Sequence, residues 1–293
     1  MRWRVRRLKQ PIDKVGLAWR DELALDIHTH LEHIDCLEIL ADREFQAGRA
    51  RLKALKELAR QVSLSVHSLA LGLACSEPVE LCRLERLGRL VGEVEPHHWS
   101  EHLAFVRAGG YEIGHLAAPP FAPRTLEGLA VNLERSRGVI GSLPHLENVA
   151  TLVLPAGSVW SEEQFVASAL RVNHAPLLLD LHNLYANAWN FGKDPFASLD
   201  ALPAERIASI HISGGCRVRD AAGKERLIDD HIHDPPDIVF EMLSHLAARC
   251  PQPLEVIIER DGGYPEFASI ILQLERAREA LHRGRLLRQE LAA

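Results

Sequence analysis

The stretch 177–183 reads Leu-Leu-Leu-Asp-Leu-His-Asn, an apolar run that stops abruptly in three side chains able to hold a metal. The same arrangement recurs along the chain. His67 closes Leu64-Ser65-Val66, His97-His98-Trp99-Ser100 leads into Glu101-His102, and Pro144-His145-Leu146 leads into Glu147-Asn148. His211 ends Ile207-Ala208-Ser209-Ile210, and Glu259-Arg260-Asp261 end Leu254-Glu255-Val256-Ile257-Ile258. Apolar runs of about four to eight residues are the mark of buried parallel strands, and barrel enzymes gather their functional side chains where such strands end. One strand ending in a ligand is ordinary. A series of them, all with His or carboxylate, points to a polynuclear metal centre at one mouth of a barrel.

The candidate ligands are His67, His102, Glu147, Asp180, His211 and Glu259, each at a strand end. Alternation places Asp180 and His182 on one face of the strand expected at 177–182. The run Ile228-Asp229-Asp230-His231-Ile232-His233-Asp234 is too polar for a core strand and concentrates carboxylates and imidazoles on a loop. Hard carboxylates mixed with imidazoles suit iron, manganese or zinc, and the lack of a Cys cluster argues against structural zinc or an iron–sulfur centre. A carboxylate such as Glu147 can bridge two cations and lower their repulsion. His182, Asn183, His233, Asn148 and Asp261 read as further ligands or as groups that orient one. Glu38 and Asp42 read as pocket wall or as solvated residues, and Cys216, shortly after His211, as a spectator thiol. The pair His28 and His30 falls in a stretch patterned as a helix, 21–33, and is set aside.

These side chains need a scaffold that brings strand ends together. Candidate strands fall at 15–19, 35–40, 64–71, 97–103, 145–149, 177–182, 207–212 and 255–259, with helices expected at 21–32, 44–61, 78–93, 125–140, 161–172, 236–248 and 264–286. Thr125 reads as an N-cap, and Ser161-Glu162-Glu163-Gln164 as a capping box. This alternation fits a (β/α)8 barrel better than an open doubly wound sheet, and no Gly-rich phosphate loop follows the first strand. The segment 185–201 shows little regular helix. Long loops are expected at 108–124 and 216–236, on the ligand side.

Composition sets the outer limits. The 293 residues are 47% hydrophobic and 25% charged, enough for one barrel domain spanning 1–293, with the basic stretch 1–12 as a tail. No apolar run approaches the roughly 18 residues of a membrane span. A net charge of -6 argues against general nucleic-acid binding. The N-terminus lacks the pattern of a secretory signal. Five cysteines without a CxxC pair read as reduced thiols, and the expected location is cytoplasmic.

The ordered series Ser65-Val66-His67-Ser68-Leu69-Ala70-Leu71-Gly72, Ser100-Glu101-His102-Leu103, Leu146-Glu147-Asn148, Asp180-Leu181-His182-Asn183-Leu184-Tyr185, Ile210-His211-Ile212-Ser213-Gly214, Ile228-Asp229-Asp230-His231 and Ile258-Glu259-Arg260-Asp261 resembles the multinuclear non-haem iron-dependent oxidative enzymes. That family includes the oxidase of methanobactin biosynthesis and was long classed as one of unknown function. The resemblance covers almost the whole chain. It implies a TIM barrel of the xylose-isomerase-like kind, two or three irons, and dioxygen-dependent remodelling of cysteine or other residues in a ribosomally made precursor peptide. A partner protein that delivers the peptide is part of what it implies. By the same resemblance His67, His102 and Glu147 hold one iron, and Glu147 bridges to a second shared with Asp180, His211 and Glu259. Asn183, Asp229 and His231 serve a third. The chain departs from the family where Asp42-Arg43 replaces a frequent Glu-Asn, where His182 replaces a frequent Asn, and where Gly263 replaces another Asn. The first and third changes bear on peptide specificity, and the second adds a possible ligand.

The implied chemistry places a substrate thiolate at an open position of a ferrous ion, with Glu147, Asp180 and Glu259 as the anionic groups at the reacting centre and dioxygen as oxidant. Two rivals start from the same residues. One is a divalent-metal hydrolase or isomerase, using zinc or manganese as the trinuclear phosphodiester-cleaving barrels do. The other is a non-catalytic barrel that only binds a peptide.

Overall fold

Eight parallel strands, paired in chain order, close on themselves as the last pairs with the first. The computed structural model describes residues 12–292, so the basic stretch expected as a tail lies outside the described residues except for Ile12. The chain runs through β1 (Lys14–Ala18), α1 (Ala24–Thr29), β2 (Cys36–Leu40), α2 (Ala41–Glu44), α3 (Arg49–Ala59), β3 (Ser63–Ser68), α4 (Leu81–Val94) and β4 (Trp99–His102). A hairpin of β5 (Phe105–Ala108) and β6 (Tyr111–Ala117) then precedes α5 (Pro123–Ile140), β7 (His145–Glu147), α6 (Glu162–Asn173), β8 (Leu177–Asp180), α7 (Leu181–Phe191) and α8 (Pro195–Asp200). β9 (Ile207–Ile212), a second hairpin of β10 (Gly215–Arg219) and β11 (Glu225–Asp229), α9 (Asp237–Arg249), β12 (Glu255–Ile258) and α10 (Phe267–Ala292) complete it.

Strands covered on both faces are mostly apolar where they pack against the helices. Leu177, Leu178 and Leu179 of β8 have no exposed surface, and neither have Ile207, Ile210 and Ile212 of β9. Cutting one of these leucines to Ala would cost about 2–5 kcal/mol through lost burial and the cavity left behind. Helix α4 turns Leu84, Leu87, Leu90 and Val94 onto the barrel, the three-and-four spacing of one helix face. Gly16 is required where β1 passes β2: a Cβ there would fall 1.8 Å from the Cys36 carbonyl oxygen. The capping box at Ser161 forms, with the Ser161 hydroxyl accepting from the Gln164 backbone and Gln164 reaching back.

Several local expectations fail, each for a physical reason. The strand expected at 177–182 ends at Asp180, whose carboxylate accepts the Asn183 backbone N–H at 2.7 Å and caps α7. His182 is therefore a helical residue and does not share a strand face with Asp180. The segment 185–201, which looked poor in helix, belongs to α7 and α8, stopped between them by Gly192 at positive φ. Its polar residues Asn187 and Asn190 are buried and bond to the loops after β7 and in β11, so polarity there marks tertiary hydrogen bonds. Helix α5 starts earlier than Thr125, with Pro123 in its first turn, while the Thr125 hydroxyl donates to Pro120. The helix expected at 44–61 is broken, with extended backbone at Gly48 between α2 and α3. The loops expected at 108–124 and 216–236 each contain part of a two-stranded hairpin. No helix of the described residues is long and apolar enough to cross a membrane.

Candidate metal centre

The C-terminal strand ends meet in one buried cluster. Glu147 closes β7 and is shared by two groups of side chains. Its Oε2 lies 3.4 Å from His67 Nε2 and 3.2 Å from His102 Nε2. Its Oε1 lies 3.2 Å from His211 Nδ1, which in turn lies 3.1 Å from Glu259 Oε2. Asp180 joins Glu147, His211 and Glu259 with ligand atoms all within 4.8 Å of one another. Two ligands of one first-row ion, each bonded at roughly 2.0–2.2 Å, stand about 3–3.6 Å apart at ordinary coordination angles. The observed separations match that spacing.

A third set lies alongside. His231 Nδ1 is 3.4 Å from Glu259 Oε2, and its Nε2 is 2.8 Å from Asp229 Oδ2. His182 reaches the other oxygen of Asp229 through Nδ1 at 2.7 Å. Asn183 donates its side-chain amide to the Asn148 carbonyl, which leaves its buried Oδ1 without a hydrogen-bond partner. Asn148 is bound to the Asp180 backbone at both N–H and C=O, so it fixes the position of Asp180 while its own side chain is fully engaged. Gly215 permits the approach of the second hairpin, since a Cβ there would lie 2.6 Å from His182 Cε1.

Electrostatics favour a cation here. Burial, together with Asp229 and Glu147, pushes the Asp180 carboxyl well above the usual range. Burial would lower His102, but Glu147 and Glu101 overcome it and hold the imidazole up to about 9. His211 and His231 are raised by the same contest, with Glu259 the leading carboxylate for both. Burial would raise Asp229, yet its bonds with His182 and His231 hold it at about 2. Glu147 Oε2 and Asp180 Oδ2 are buried without a hydrogen-bond partner, a state that costs about 1–3 kcal/mol for each group. Arg20, fully buried, stands 3.7 Å from Glu259 and pairs with Asp261. Carboxylate and imidazole donors with unpartnered buried oxygens suit a hard-to-borderline divalent ion, so the residues fit a metal site.

The centre opens into a cavity of about 850 Å³. Phe105, His115 and Leu116 of the first hairpin, Leu227 and Ile228 of the second, and the loop carrying Val149, Leu152 and Val153 form its walls. His67, His102, Glu147, Asn183, His231 and Glu259 reach it from below, and among the described residues no cysteine lines it.

His233 lies outside the cluster: it is half exposed and pairs with Asp230. Cys216 groups with these two. Glu101 is buried but spent on the backbone N–H groups of Leu71 and His102. Asp261 sits at the edge, 3.5 Å from His231. His28 and His30 stay with α1 and the turn after it. Glu38 is neither solvated nor on the cavity wall. It is buried, with Oε1 2.9 Å from His211 Nε2. The sequence held a clue, because a lone carboxylate inside the apolar run Cys36-Leu37-Glu38-Ile39-Leu40 must face a partner. Arg20, two residues beyond the end of β1, carries no comparable sequence signal.

Parallel strands in a closed barrel with a donor-rich C-terminal mouth define a xylose-isomerase-like TIM barrel. Solved structures of that kind match nearly the whole chain. They include a xylose isomerase domain protein from Alicyclobacillus acidocaldarius (17% identity, TM-score 0.61, 94% of this chain and 99% of that one) and an L-ribulose 3-epimerase (12% identity, TM-score 0.59, 96% and 99%). At such identities the likeness shows the fold alone. Residues 14–282 match the model of the RiPP precursor modification enzymes MbnB/TglH/ChrH, and the chain belongs to that family. Relatives include UPF0276 proteins of Streptomyces avermitilis (34% identical, 92% of this chain) and of Acaryochloris marina (30% identical, 91% of this chain and 94% of the relative). The chain spans 55% of the length of the Streptomyces relative.

Proposed function

We propose that this protein is an iron- and dioxygen-dependent enzyme that oxidatively modifies a ribosomally made precursor peptide at cysteine. The observation that carries the metal assignment is Glu147, whose two oxygens face two separate groups of ligand atoms. His67, His102 and Glu147 would hold one iron, and Glu147 with Asp180, His211 and Glu259 a second. Asn183, Asp229 and His231 would hold a third. When bound, iron supplies one-electron chemistry with dioxygen that no side chain offers.

The chain's own contribution is positioning and charge. Glu147, Asp180 and Glu259 balance the cations, and Asn148 locks the Asp180 backbone. The apolar walls exclude water from a bound peptide segment. With no cysteine at the cavity, a substrate thiolate meets no competing protein sulfur. The membership in a family of RiPP precursor modification enzymes supports the peptide substrate. All five cysteines are free, which supports a reducing, cytoplasmic setting. We read the chain as one catalytic domain that takes its peptide directly or from a delivering partner protein.

The test is anaerobic incubation of iron-loaded enzyme with a cysteine-containing precursor peptide, followed by mass spectrometry before and after air is admitted. The expected result is a mass change only after air, with oxygen consumed. Equal product without oxygen would rule out the oxidative reading, and phosphodiester cleavage by zinc-loaded protein would favour a hydrolase.

A further inference from the structure

The side chain of His211 is wholly buried at the middle of the centre, and its two ring nitrogens face different partners. Nδ1 points to Glu147 and Glu259, at 3.2 and 3.1 Å. Nε2 lies 2.9 Å from Glu38 Oε1, a charge contact that is not aligned as a hydrogen bond. Glu38 lies on the neighbouring side of the barrel, reached across β1 and β12, and its side chain is 1% exposed. Its Oε2 is 3.4 Å from the Ser65 hydroxyl, while Oε1 has no hydrogen-bond partner and neither has His211 Nε2. A carboxylate placed there without a function would cost more than a packed apolar residue.

We infer that Glu38 is a positioning residue for the metal centre: its carboxylate, held 2.9 Å from His211 Nε2, favours the imidazole proton on that nitrogen and so reserves Nδ1 for the metal. An imidazole can coordinate through either nitrogen, and the bond made by one nitrogen decides which nitrogen binds. Here the choice has a geometric consequence. Coordination through Nδ1 brings the metal to Glu147, Asp180 and Glu259, whereas coordination through Nε2 would take it toward Glu38 and away from the shared carboxylate. The charge on Glu38 also makes the imidazole a stronger donor. This inference rests on reading the cluster as a metal centre.

A double-mutant cycle tests it, with cobalt(II) alone as the probe, titrated against a chelator into the metal-free protein. Glu38→Ala should bind about 10- to 100-fold more weakly than wild type, the range for losing a group that orients a ligand. The His211→Ala variant should also bind weakly, and adding Glu38→Ala to it should cause no further loss. A purely structural Glu38 would instead lower affinity by the same factor in both backgrounds, and that result overturns the inference. Glu38→Gln keeps an acceptor at the same reach and should recover part of the affinity with a shifted cobalt spectrum. If Glu38→Ala fails to fold, the Gln variant decides: wild-type affinity and an unchanged spectrum overturn the assignment. Wild-type protein that binds no cobalt sinks the metal centre itself, and the role of Glu38 with it.

Discussion

Both mouths of the barrel collect histidines, yet the two environments push them in opposite directions. At the C-terminal mouth His102 is held up to about 9 and His211 and His231 are raised, because Glu147 and Glu259 overcome burial. At the N-terminal mouth, among the first residues of the strands, His98 and His145 stack with ring centroids 4.0 Å apart. Burial carries His145 down to about 4 and His98 below its ordinary value, each helped by a neighbouring imidazole. His145 Nδ1 pairs with the Ser209 hydroxyl, and Glu255 stands 3.7 Å from His98. The difference is the ratio of carboxylates to imidazoles. One end has an excess of negative charge that calls for cations, and the other holds neutral, half-buried rings stacked on each other.

The sharpest way to break this contrast is to remove the shared carboxylate. Glu147→Ala should lose nearly all metal and activity together, because both groups of ligands lose the anion between them. The matching change at the other end, Glu255→Gln, should leave metal content unchanged. Metal analysis of both purified proteins checks the pair, and full occupancy in the Glu147 variant would show that the metals sit elsewhere.

The next effect is on pH. Metal and proton compete for the raised imidazoles, so each proton displaced makes apparent affinity rise about tenfold per pH unit below the ligand's pKa. With His102 at about 9 in the metal-free protein, affinity should keep climbing between pH 7 and 9. A site of ordinary imidazoles would level off near their usual value of about 6.5. Chelator competition across that range gives the answer, and a plateau at pH 7 would deny the influence of the carboxylates.

The N-terminal mouth should respond in stability. His145 titrates near its ordinary value when unfolded and at about 4 when folded. Its contribution is therefore complete above about pH 6.5 and is lost as pH falls toward 4, amounting to about 3 kcal/mol. Glu255, raised by burial, titrates in the opposite sense and offsets part of the loss at the acid end. Denaturant melts of metal-free wild type and His145→Gln between pH 7 and 4 test this. The variant should show the shallower dependence, and parallel curves would mean that the stacked pair is not the acid-sensitive element.

The contrast between the mouths also shows what a sequence can disclose. Strand-end positions are legible, since an apolar run fixes where a strand stops and the next polar residue falls at the mouth. That reasoning picks out Glu147, Asp180, His211 and Glu259, whose ligand atoms the structure brings within 4.8 Å of one another. It failed where one residue acts in two elements: Asp180 ends β8 and caps α7, so His182 left the strand face assigned to it. It also failed where significance depends on a distant partner. Glu38 gains meaning only beside His211, and no spacing rule connects residues paired across a closed barrel. The hairpins are hidden for a similar reason, because β5–β6 and β10–β11 lie outside the barrel and lack the continuous buried apolar run of its strands.

The smallest effect is expected from His233→Ala, and it marks the edge of the centre. In sequence His233 looks equivalent to His231, two positions earlier in the same polar run. In the structure His231 takes positive φ, which turns the chain, and its ring faces Glu259 and Asp229. His233 instead bonds to Asp230, with half of its side chain in water. An exposed pair of this kind is worth at most about 1 kcal/mol. The His233→Ala variant should therefore keep its metal and change activity by less than about twofold, within the roughly 0.5 kcal/mol typical of surface changes. His231→Ala should lose the metal proposed above to be shared with Asp229 and Asn183. Parallel metal analysis and turnover of the two variants decide the matter. Equal losses would mean that the loop carrying both residues closes over the centre as a unit, and that the boundary drawn between them is wrong.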